Sequence, residues 1–263
     1  MTAVLLNIDE RGVATITLNN PKKHNAFDDA IIAELDKLFT QLAGRDDVRI
    51  VVLAAEGRSF SAGADLNWMQ RMASYSYEEN LRDAHALAEM LRKLNTLPQP
   101  TIARVQGAAF GGAVGLISCC DMAVAASRAS FSLSEVKIGL LPATISPYVI
   151  DAIGARAARR LFTTAERFSA KAARRLGLVS KVVDEEDLKK ELDQLIDSLL
   201  ANSPQAVRAA KLLVFDVAGK PLTAELIEHT CEKIAAIRVS EEGQEGLQAF
   251  LQKRKPSWIN HEQ

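Results

Sequence analysis

Apolar and polar residues alternate along the first part of the chain. The alternation runs over residues 4–8, breaks at a polar turn over residues 9–12, and resumes over residues 14–18. A period of two is typical of a β-strand with one buried face, and a short turn between two such strands is typical of a hairpin. Residues 50–53 are all apolar, as in a strand covered on both faces. The pattern predicts a hairpin and then a buried strand.

Elsewhere the apolar positions are three and four residues apart. Residues 31–42 give one such helical face, with Asp28 or Asp29 as its N-cap and Gly44 at its end. Residues 81–94 give a second helical face. Further strands are predicted at residues 101–105, 122–125 and 177–183. Strands that alternate with helices predict an α/β fold with a mostly parallel sheet.

From about residue 188 onward the pattern is helical only, with stretches over about 204–217, 222–239 and 241–252. These helices have several apolar faces and little sheet to cover. We therefore expect two parts, a core over residues 1–200 and a helical region over residues 201–263, whose apolar faces form an oligomer interface.

Composition and charge exclude several classes of protein. The chain has 263 residues, of which 48% are hydrophobic and 25% charged, and its formal net charge is −1. This balance does not favour a nucleic-acid partner. No apolar stretch is long enough to span a bilayer, and none at the start resembles a signal peptide, so we expect no membrane partner and a cytoplasmic location. Cys119, Cys120 and Cys231 form neither a disulfide framework nor a metal motif, and we expect no metal.

Three short segments are candidates for chemistry. Residues 59–66 (SFSAGADL) follow the buried strand, and their small side chains can expose backbone N–H groups to a ligand, with Asp65 capping the next helix. Residues 106–116 (QGAAFGGAVGL) are mostly Gly and Ala and lead into a helix. Taken alone, the first segment is also typical of a strand-to-helix turn, and the second of close helix packing.

The third segment, residues 131–142 (FSLSEVKIGLLP), places Glu135 between apolar residues. Isolated glutamates usually face solvent. If Glu135 is buried near a reaction centre, its pKa should rise, which would make it a usable proton carrier near neutrality.

In order along the chain, the segments PKKHNAF (21–27), SAGADL (61–66), GAAFGGAVGL (107–116) with Cys120-Asp121, SEVKIGLLP (134–142) and EGLQAFLQKR (245–254) resemble those of the enoyl-CoA hydratase/isomerase (crotonase) family. The resemblance covers nearly the entire chain. It implies an α/β crotonase (ClpP-like) fold, a spiral of ββα units followed by a C-terminal helical trimerisation region, assembled as a homotrimer or a dimer of trimers.

The resemblance also implies an acyl-CoA thioester substrate and an oxyanion hole formed by the backbone N–H groups of Ala62 and Gly112. Moving a proton at Cα of a thioester places negative charge on the carbonyl oxygen, and two fixed N–H groups stabilise that charge. Glu135 matches a catalytic glutamate of the family. No cofactor is expected, because coenzyme A is carried by the substrate.

By the same resemblance, one set of residues is expected to contact coenzyme A. Lys22, Lys23 and Arg58 are candidates for its phosphates, although solvated surface charges are equally consistent with the sequence. Phe250 and Lys253 match positions that reach the coenzyme A of a neighbouring subunit. Besides Arg58, the expected contacts are Lys22, Lys23, Ala26, Ser61, Ala64, Asp65, Leu66, Phe250 and Lys253.

One departure from the family bears on the reaction. Hydratases of the family use two glutamates, and where the second is expected, three residues beyond Gly112, this chain has Gly115. One carboxylate suffices to move a proton between carbons, so a Δ3–Δ2-enoyl-CoA isomerase is an alternative. A non-catalytic homologue that binds CoA thioesters or RNA is another.

The segments FSAGADLNWM, AAFGGAVGL and PATISPYVIDAIG resemble those of one subgroup, the methylglutaconyl-CoA and carboxygeranoyl-CoA hydratases. In that subgroup a glycine at the position of Gly115 is normal. These hydratases act in leucine and acyclic-terpene breakdown. The subgroup favours hydration of a branched, carboxylated 2-enoyl-CoA. Residues 67–82 are expected to wall the acyl pocket, whose expected residues are Trp68, Met69, Gly115 and Pro142. Candidate cations for a substrate carboxylate are Arg71, Arg82, His85 and Lys137.

Overall fold

The computed structural model describes residues 2–259, which divide into two compact units. The first comprises residues 2–97 and 101–193, and the second residues 98–100 and 194–259. The strands are β1 (Val4–Ile8), β2 (Val13–Leu18), β3 (Ile50–Ala55), β4 (Thr101–Val105), β5 (Ala109–Phe110), β6 (Met122–Ala126), β7 (Ser130–Ser132), β8 (Phe168–Ser169) and β9 (Lys181–Val183). The helices are α1 (Asp29–Ala43), α2 (Leu66–Met72), α3 (Tyr77–Asn95), α4 (Gly112–Ser118), α5 (Ser146–Thr164), α6 (Ala170–Leu176), α7 (Leu188–Leu200), α8 (Pro204–Val217), α9 (Ala224–Val239) and α10 (Glu241–Leu251).

The first unit is built on a mostly parallel sheet in the order β1-β2-β3-β4-β6-β9. Strands β1 and β2 form the expected antiparallel hairpin, and the other neighbours pair in parallel. Every residue of β3 is buried, as the continuous apolar run predicts. A second, small sheet has the order β5-β7-β8. The chain thus passes repeatedly from the large sheet to the small one and then into a helix, which is the ββα path that the resemblance implies.

Local sequence signals position the helices beside this sheet. Asp28, not Asp29, caps α1 by accepting the N–H of Ile31 at 3.0 Å. Helix α3 starts at a capping box in which Ser76 and Glu79 each accept the other's backbone N–H. The predicted strand over residues 177–183 is wrong in its first half, because α6 reaches Leu176 and β9 begins only at Lys181.

In the second unit, α8, α9 and α10 follow the three helical stretches that the sequence predicts. Ser203, Thr223 and Ser240 cap them by accepting backbone N–H groups three residues ahead. Helix α7 runs across the boundary between the units at residues 193 and 194.

Gly107, which follows β4, is expected to tolerate no larger side chain. A Cβ at this position would lie 1.9 Å from the backbone carbonyl oxygen of Arg58, which cannot rotate away. We expect Gly107→Ala to lower the free energy of unfolding by about 1–3 kcal/mol, as overpacking does. Urea unfolding would measure it. Gly44→Ala is the matched control, because its Cβ would meet only the Gln41 carbonyl oxygen at 4.0 Å; equal losses in both variants would contradict the steric explanation.

Candidate active site

The turn between β3 and α2 is held by buried amide side chains. Asn25 is 2% exposed and donates to the carbonyl oxygens of Glu56 and Ser59 at 2.8 and 2.9 Å. Gln106, at the end of β4, donates from Nε2 to the Ser59 oxygen at 3.0 Å and also to the carbonyls of residues 55 and 57. Because these bonds fix successive carbonyl groups, the backbone of the turn is rigid before any ligand arrives.

Within this turn, Ala64 rather than Ala62 presents a free backbone donor. The N–H of Ala62 donates to the carbonyl oxygen of His24 at 2.9 Å, so the prediction that Ala62 contributes to the oxyanion hole is wrong. The flanking bonds, Phe27 N–H to Gly63 O and Asp65 N–H to Phe27 O, leave the Ala64 N–H facing away from that pairing. Within residues 2–259 it has no hydrogen-bond acceptor.

The second donor is Gly112, at the start of α4. Its N–H has no acceptor within the described part of the chain, and a Cβ on Gly112 would lie 2.6 Å from the ring of Phe27. Gly63 brings the two turns together, because a Cβ there would lie 2.8 Å from the Phe110 carbonyl oxygen. With φ of +89°, Gly63 also adopts a backbone conformation that favours glycine.

Glu135 lies next to this second turn. It begins a 3-10 turn over Glu135–Ile138, and its Oε1 would be 3.2 Å from a Cβ placed on Gly111. Its Oε2 is buried and has no hydrogen-bond partner among the described residues. Burial raises the pKa of the Glu135 carboxyl group above its ordinary value. This meets the condition under which the sequence predicts a proton carrier.

A cavity of about 330 Å³ joins these groups. Of the residues expected at the site, Ala64, Trp68, Gly112, Glu135 and Pro142 line it. The full lining is Phe27, Ala64, Trp68, Met72, Asn80, Asp83, Ala84, Leu87, Gly112, Glu135, Leu140, Leu141, Pro142, Ala143, Thr144 and Ile145. The cavity is therefore mostly apolar, with two carboxylates and two free backbone donors.

Two residues expected in the acyl pocket lie outside this lining. Met69 is half-buried on α2 but does not reach the cavity, whereas Met72, one turn later, does. Gly115 is buried beneath Ile145: a Cβ on Gly115 would lie 2.2 Å from Ile145 Cγ2 and 2.7 Å from its Cβ. The space that a second glutamate side chain would need is thus filled by Ile145, which lines the cavity instead.

The basic residues expected to contact coenzyme A differ in whether an acidic side chain already pairs with them. Lys23 donates to Asp65 Oδ2 at 2.7 Å, and this contact, with the backbone N–H groups of Asn67 and Trp68, holds the pKa of the Asp65 carboxyl group below its ordinary value. Lys23 is therefore an ion-pair partner of a helix cap rather than a free phosphate ligand. Lys22 and Arg58 are exposed and form no ion pair within residues 2–259.

The other expected contacts differ in accessibility. Ser61 is fully buried, and its Oγ accepts the Gly63 N–H within the turn, while Ala26 is buried and Leu66 is 80% exposed. Phe250, 82% exposed, and Lys253, exposed with a φ of +55°, belong to the second unit.

Sequence reasoning placed the wall of the acyl pocket at residues 67–82, which include Asn80, but missed the rest of the lining that α3 contributes. Asn80, Asp83, Ala84 and Leu87 recur at spacings of three and four and share one face of that helix. That spacing was the available signal. The candidate cations for a substrate carboxylate, in contrast, do not contribute to the lining: Arg71, Arg82, His85 and Lys137.

No group of three or more His, Cys, Asp and Glu side chains in residues 2–259 is arranged to hold a metal ion. In the same part of the chain, the helices are too short or too polar to cross a bilayer.

Comparison with known proteins identifies the family. The family model described as enoyl-CoA hydratase/isomerase matches residues 9–261. The crystal structure of an enoyl-CoA hydratase from Shewanella pealeana is 48% identical, with a TM-score of 0.94 over 98% of this chain and 96% of that one. An enoyl-CoA hydratase from Mycobacterium smegmatis is 33% identical, with a TM-score of 0.93 over 99% and 100% of the two chains.

A curated relative, the mitochondrial enoyl-CoA hydratase domain-containing protein 3 of Xenopus laevis, is 33% identical over 95% of this chain and 84% of its own length. These matches confirm the crotonase fold and an enzyme of the hydro-lyase type, both predicted from the sequence. The chain belongs to the enoyl-CoA hydratase/isomerase family.

Proposed function

We propose that the protein is a hydratase that adds water across the 2,3 double bond of a branched 2-enoyl-CoA thioester. One observation carries the proposal: Glu135 lines the cavity that Ala64 and Gly112 also line, and its buried Oε2 lacks a hydrogen-bond partner among the described residues. An unpaired buried carboxylate is costly, and such groups cluster at functional sites.

The proposed reaction uses one acid–base group and two backbone donors. Glu135 takes a proton from water, whose oxygen then bonds to Cβ, and the electron pair of the double bond moves to the thioester as an enolate. The N–H groups of Ala64 and Gly112 donate hydrogen bonds to the enolate oxygen, and losing one such donor typically costs about 3–4 kcal/mol. The protonated Glu135 can return the proton to Cα. Coenzyme A is part of the substrate, so no separate cofactor takes part.

The apolar lining supports a branched hydrocarbon chain, with Leu140 and Leu141 at 52% and 70% exposure offering uncovered surface. A carboxylate at the end of that chain, as the subgroup resemblance favours, would share the cavity with Glu135 and Asp83, and no basic side chain belongs to the described lining. We therefore propose the branched chain as the substrate class. For the phosphates of coenzyme A we propose Lys22 and Arg58, whose chain neighbours Pro21 and Gly57 pack closely: a Cβ on Gly57 would lie 2.6 Å from Pro21 Cβ.

The experiment is mass spectrometry of the purified protein with thioesters in H₂¹⁸O. The substrates are 3-methylglutaconyl-CoA, an uncharged branched 2-enoyl-CoA, crotonyl-CoA and a 3-enoyl-CoA. A product heavier by one labelled water from the branched substrates supports the hydratase. A higher kcat/KM for the carboxylated substrate than for the uncharged one would mean that a cation outside the described lining binds its carboxylate. A higher kcat/KM for the uncharged substrate would follow from repulsion of the substrate carboxylate by Glu135 and Asp83. No labelled product from any 2-enoyl-CoA contradicts the proposal.

The second candidate is a Δ3–Δ2-enoyl-CoA isomerase, and the observation in its favour is Ile145. Position 115, where the family's second glutamate is expected, is a glycine, and Ile145 fills the space above it. Glu135 alone can still move a proton between carbons, as an isomerase requires. A shifted double bond with no label and no change in mass identifies this reaction. A non-catalytic homologue is not supported, because such a protein gains nothing from an unpaired buried glutamate.

The pH dependence of the reaction should follow Glu135. Its pKa is raised by burial, and the ionised form is needed to activate water, so the acid limb of kcat/KM should lie above the ordinary glutamate value of about 4.3. A raised pKa in the folded state also means that the wild type loses stability relative to Glu135→Gln as the pH rises through that value. Rates and urea unfolding over a pH series measure both effects. An acid limb at or below the ordinary value contradicts this assignment.

We also propose that the second unit forms the subunit interface of a homotrimer or a dimer of trimers. Its helices α8, α9 and α10 leave nine large apolar side chains exposed, and exposed apolar surface is typical of protein–protein interfaces. Light scattering on the purified protein should give the mass of three or six chains, and a monomer contradicts the proposal. The exposed residues are Leu212, Val214, Phe215, Ile227, Ile234, Val239, Leu247, Phe250 and Leu251.

A further inference from the structure

One wall of the acyl cavity is made by two side chains that hold each other. Trp68 of α2 is 4% exposed and donates from Nε1 to Asp83 Oδ2 on α3 at 3.0 Å. The backbone N–H of Trp68 also donates to Asp65, at 3.3 Å, so both ends of the residue are fixed. The Asp83 side chain has no other hydrogen bond or ion pair within residues 2–259. Its only described role is to hold the indole.

Behind this wall lies a second cavity of about 260 Å³, between α1, α2 and α3. Trp68 and Asp83 line both cavities, so the pair separates them. The other residues of the second cavity are Asp29, Ile32, Ala33, Asp36, Ala86 and Glu89.

The acids of the second cavity other than Asp83 are already paired. Their partners lie on the same helices or next to them, and the pairs are Asp29 with Arg71, Asp36 with Lys93, and Glu89 with Arg92. The remaining lining, Ile32, Ala33 and Ala86, is apolar. An alkyl chain that passed the wall would therefore meet neutralised acids and apolar side chains, and Ala33 and Ala86 are exposed, so the cavity opens to solvent.

We propose that the Trp68–Asp83 pair is the end wall of the acyl pocket and limits the length of the acyl chain. The proposal rests on the proposed function, because it assumes that the cavity beside Glu135 receives the acyl group. Removing the indole would join the two cavities and let a longer chain run out between α1 and α3. Removing only its acceptor would leave the ring in place but free to move.

The experiment compares kcat/KM for 2-dodecenoyl-CoA and crotonyl-CoA in the wild type and in Trp68→Ala and Asp83→Ala. We expect the ratio of the long to the short substrate to rise at least about tenfold in Trp68→Ala, since each methylene newly accommodated is worth a factor of this size. A smaller rise in the same direction is expected for Asp83→Ala. If Trp68→Ala does not fold, Asp83→Ala, which keeps the indole, decides the question.

Two control variants isolate the hydrogen bond. Asp83→Asn keeps an oxygen acceptor for the indole N–H, so its ratio should stay within about twofold of the wild type. Met69→Ala changes a neighbouring residue that lines neither cavity, and its ratio should also stay unchanged. A ratio that moves equally in Asp83→Asn and Asp83→Ala, or in none of the variants, overturns the proposal. So does a loss of turnover with both substrates in Asp83→Asn, which would make Asp83 a proton carrier instead.

Failure of the proposed function is distinguishable from failure of the wall. If the wild type converts no thioester, the function is wrong, and calorimetric binding of dodecanoyl-CoA and butyryl-CoA to the same variants still tests the wall. A selective gain of affinity for the long chain in Trp68→Ala supports the wall, and equal affinities in wild type and variant contradict it.

Discussion

Replacing Glu135 with glutamine is expected to lower kcat/KM by about 10²–10⁴, the contribution that a positioned general acid–base group makes. The amide has nearly the same shape as the carboxyl group, so the cavity and its two backbone donors should persist. What is lost is the ability to take a proton from water, because an amide does not accept one near neutral pH. Steady-state hydration rates of the best thioester substrate measure the effect.

The loss must come from chemistry and not from unfolding. In the folded wild type Oε2 of the ionised carboxylate is buried without a partner among the described residues, and burial disfavours the charged form, so Glu135→Gln should be at least as stable as the wild type at neutral pH. Glu186→Gln is the matched control, since Glu186 is exposed and lies outside the cavity, and its activity should be unchanged. Full activity of Glu135→Gln with every thioester would remove Glu135 from the mechanism.

Features with a local cause were predictable from the sequence. The N-cap of α1, the buried strand β3 and the C-terminal helices follow from the side chains within each segment, and the structure confirms them. The fold followed from the order of several motifs, and the family comparison confirms it. Helices α5 and α6 were missed. The short strands of the small sheet were also missed, because two- or three-residue strands carry too little pattern to recognise.

The details of the site depend on contacts between distant segments. The sequence SAGAD does not tell which alanine has a free N–H; the His24 carbonyl, 38 positions before Ala62, decides it. Likewise, Gly115 gave no sign that Ile145 would fill the space above it. Asp83 looked like one more charged residue on an amphipathic helix until its bond to Trp68 placed it in the cavity wall. Such pairings are set by tertiary packing, which residue patterns along the chain do not contain.

The close packing of Ile145 over Gly115 predicts that a glutamate at position 115 destabilises the protein. Gly115→Glu should lower the free energy of unfolding by about 3 kcal/mol or more, since overpacking a core costs about 1–3 kcal/mol and an unpaired buried carboxylate adds to it. The new Cβ would overlap Ile145 Cγ2 at 2.2 Å, and Ile145 is only 2% exposed, so it has little room to move. Urea unfolding measures the loss. A Gly115→Glu protein as stable as the wild type would mean that Ile145 yields and that the missing glutamate has another cause.

Combining this change with substitutions at Ile145 tests the contact itself. Ile145→Ala removes the atom at 2.2 Å but keeps the Cβ at 2.7 Å, while Ile145→Gly leaves only the Cα, at 3.7 Å. In double-mutant cycles, each double variant should therefore be more stable than the sum of the two single changes predicts. This coupling energy should be larger for Gly115→Glu with Ile145→Gly than for Gly115→Glu with Ile145→Ala, within the range of about 0.5–3 kcal/mol found for residues in contact. Because a cavity at Ile145 destabilises the protein by itself, the coupling, and not the absolute stability, carries the result. A coupling near zero with both substitutions would show that Ile145 does not exclude a side chain at position 115, and the single-glutamate site would then need an explanation other than packing.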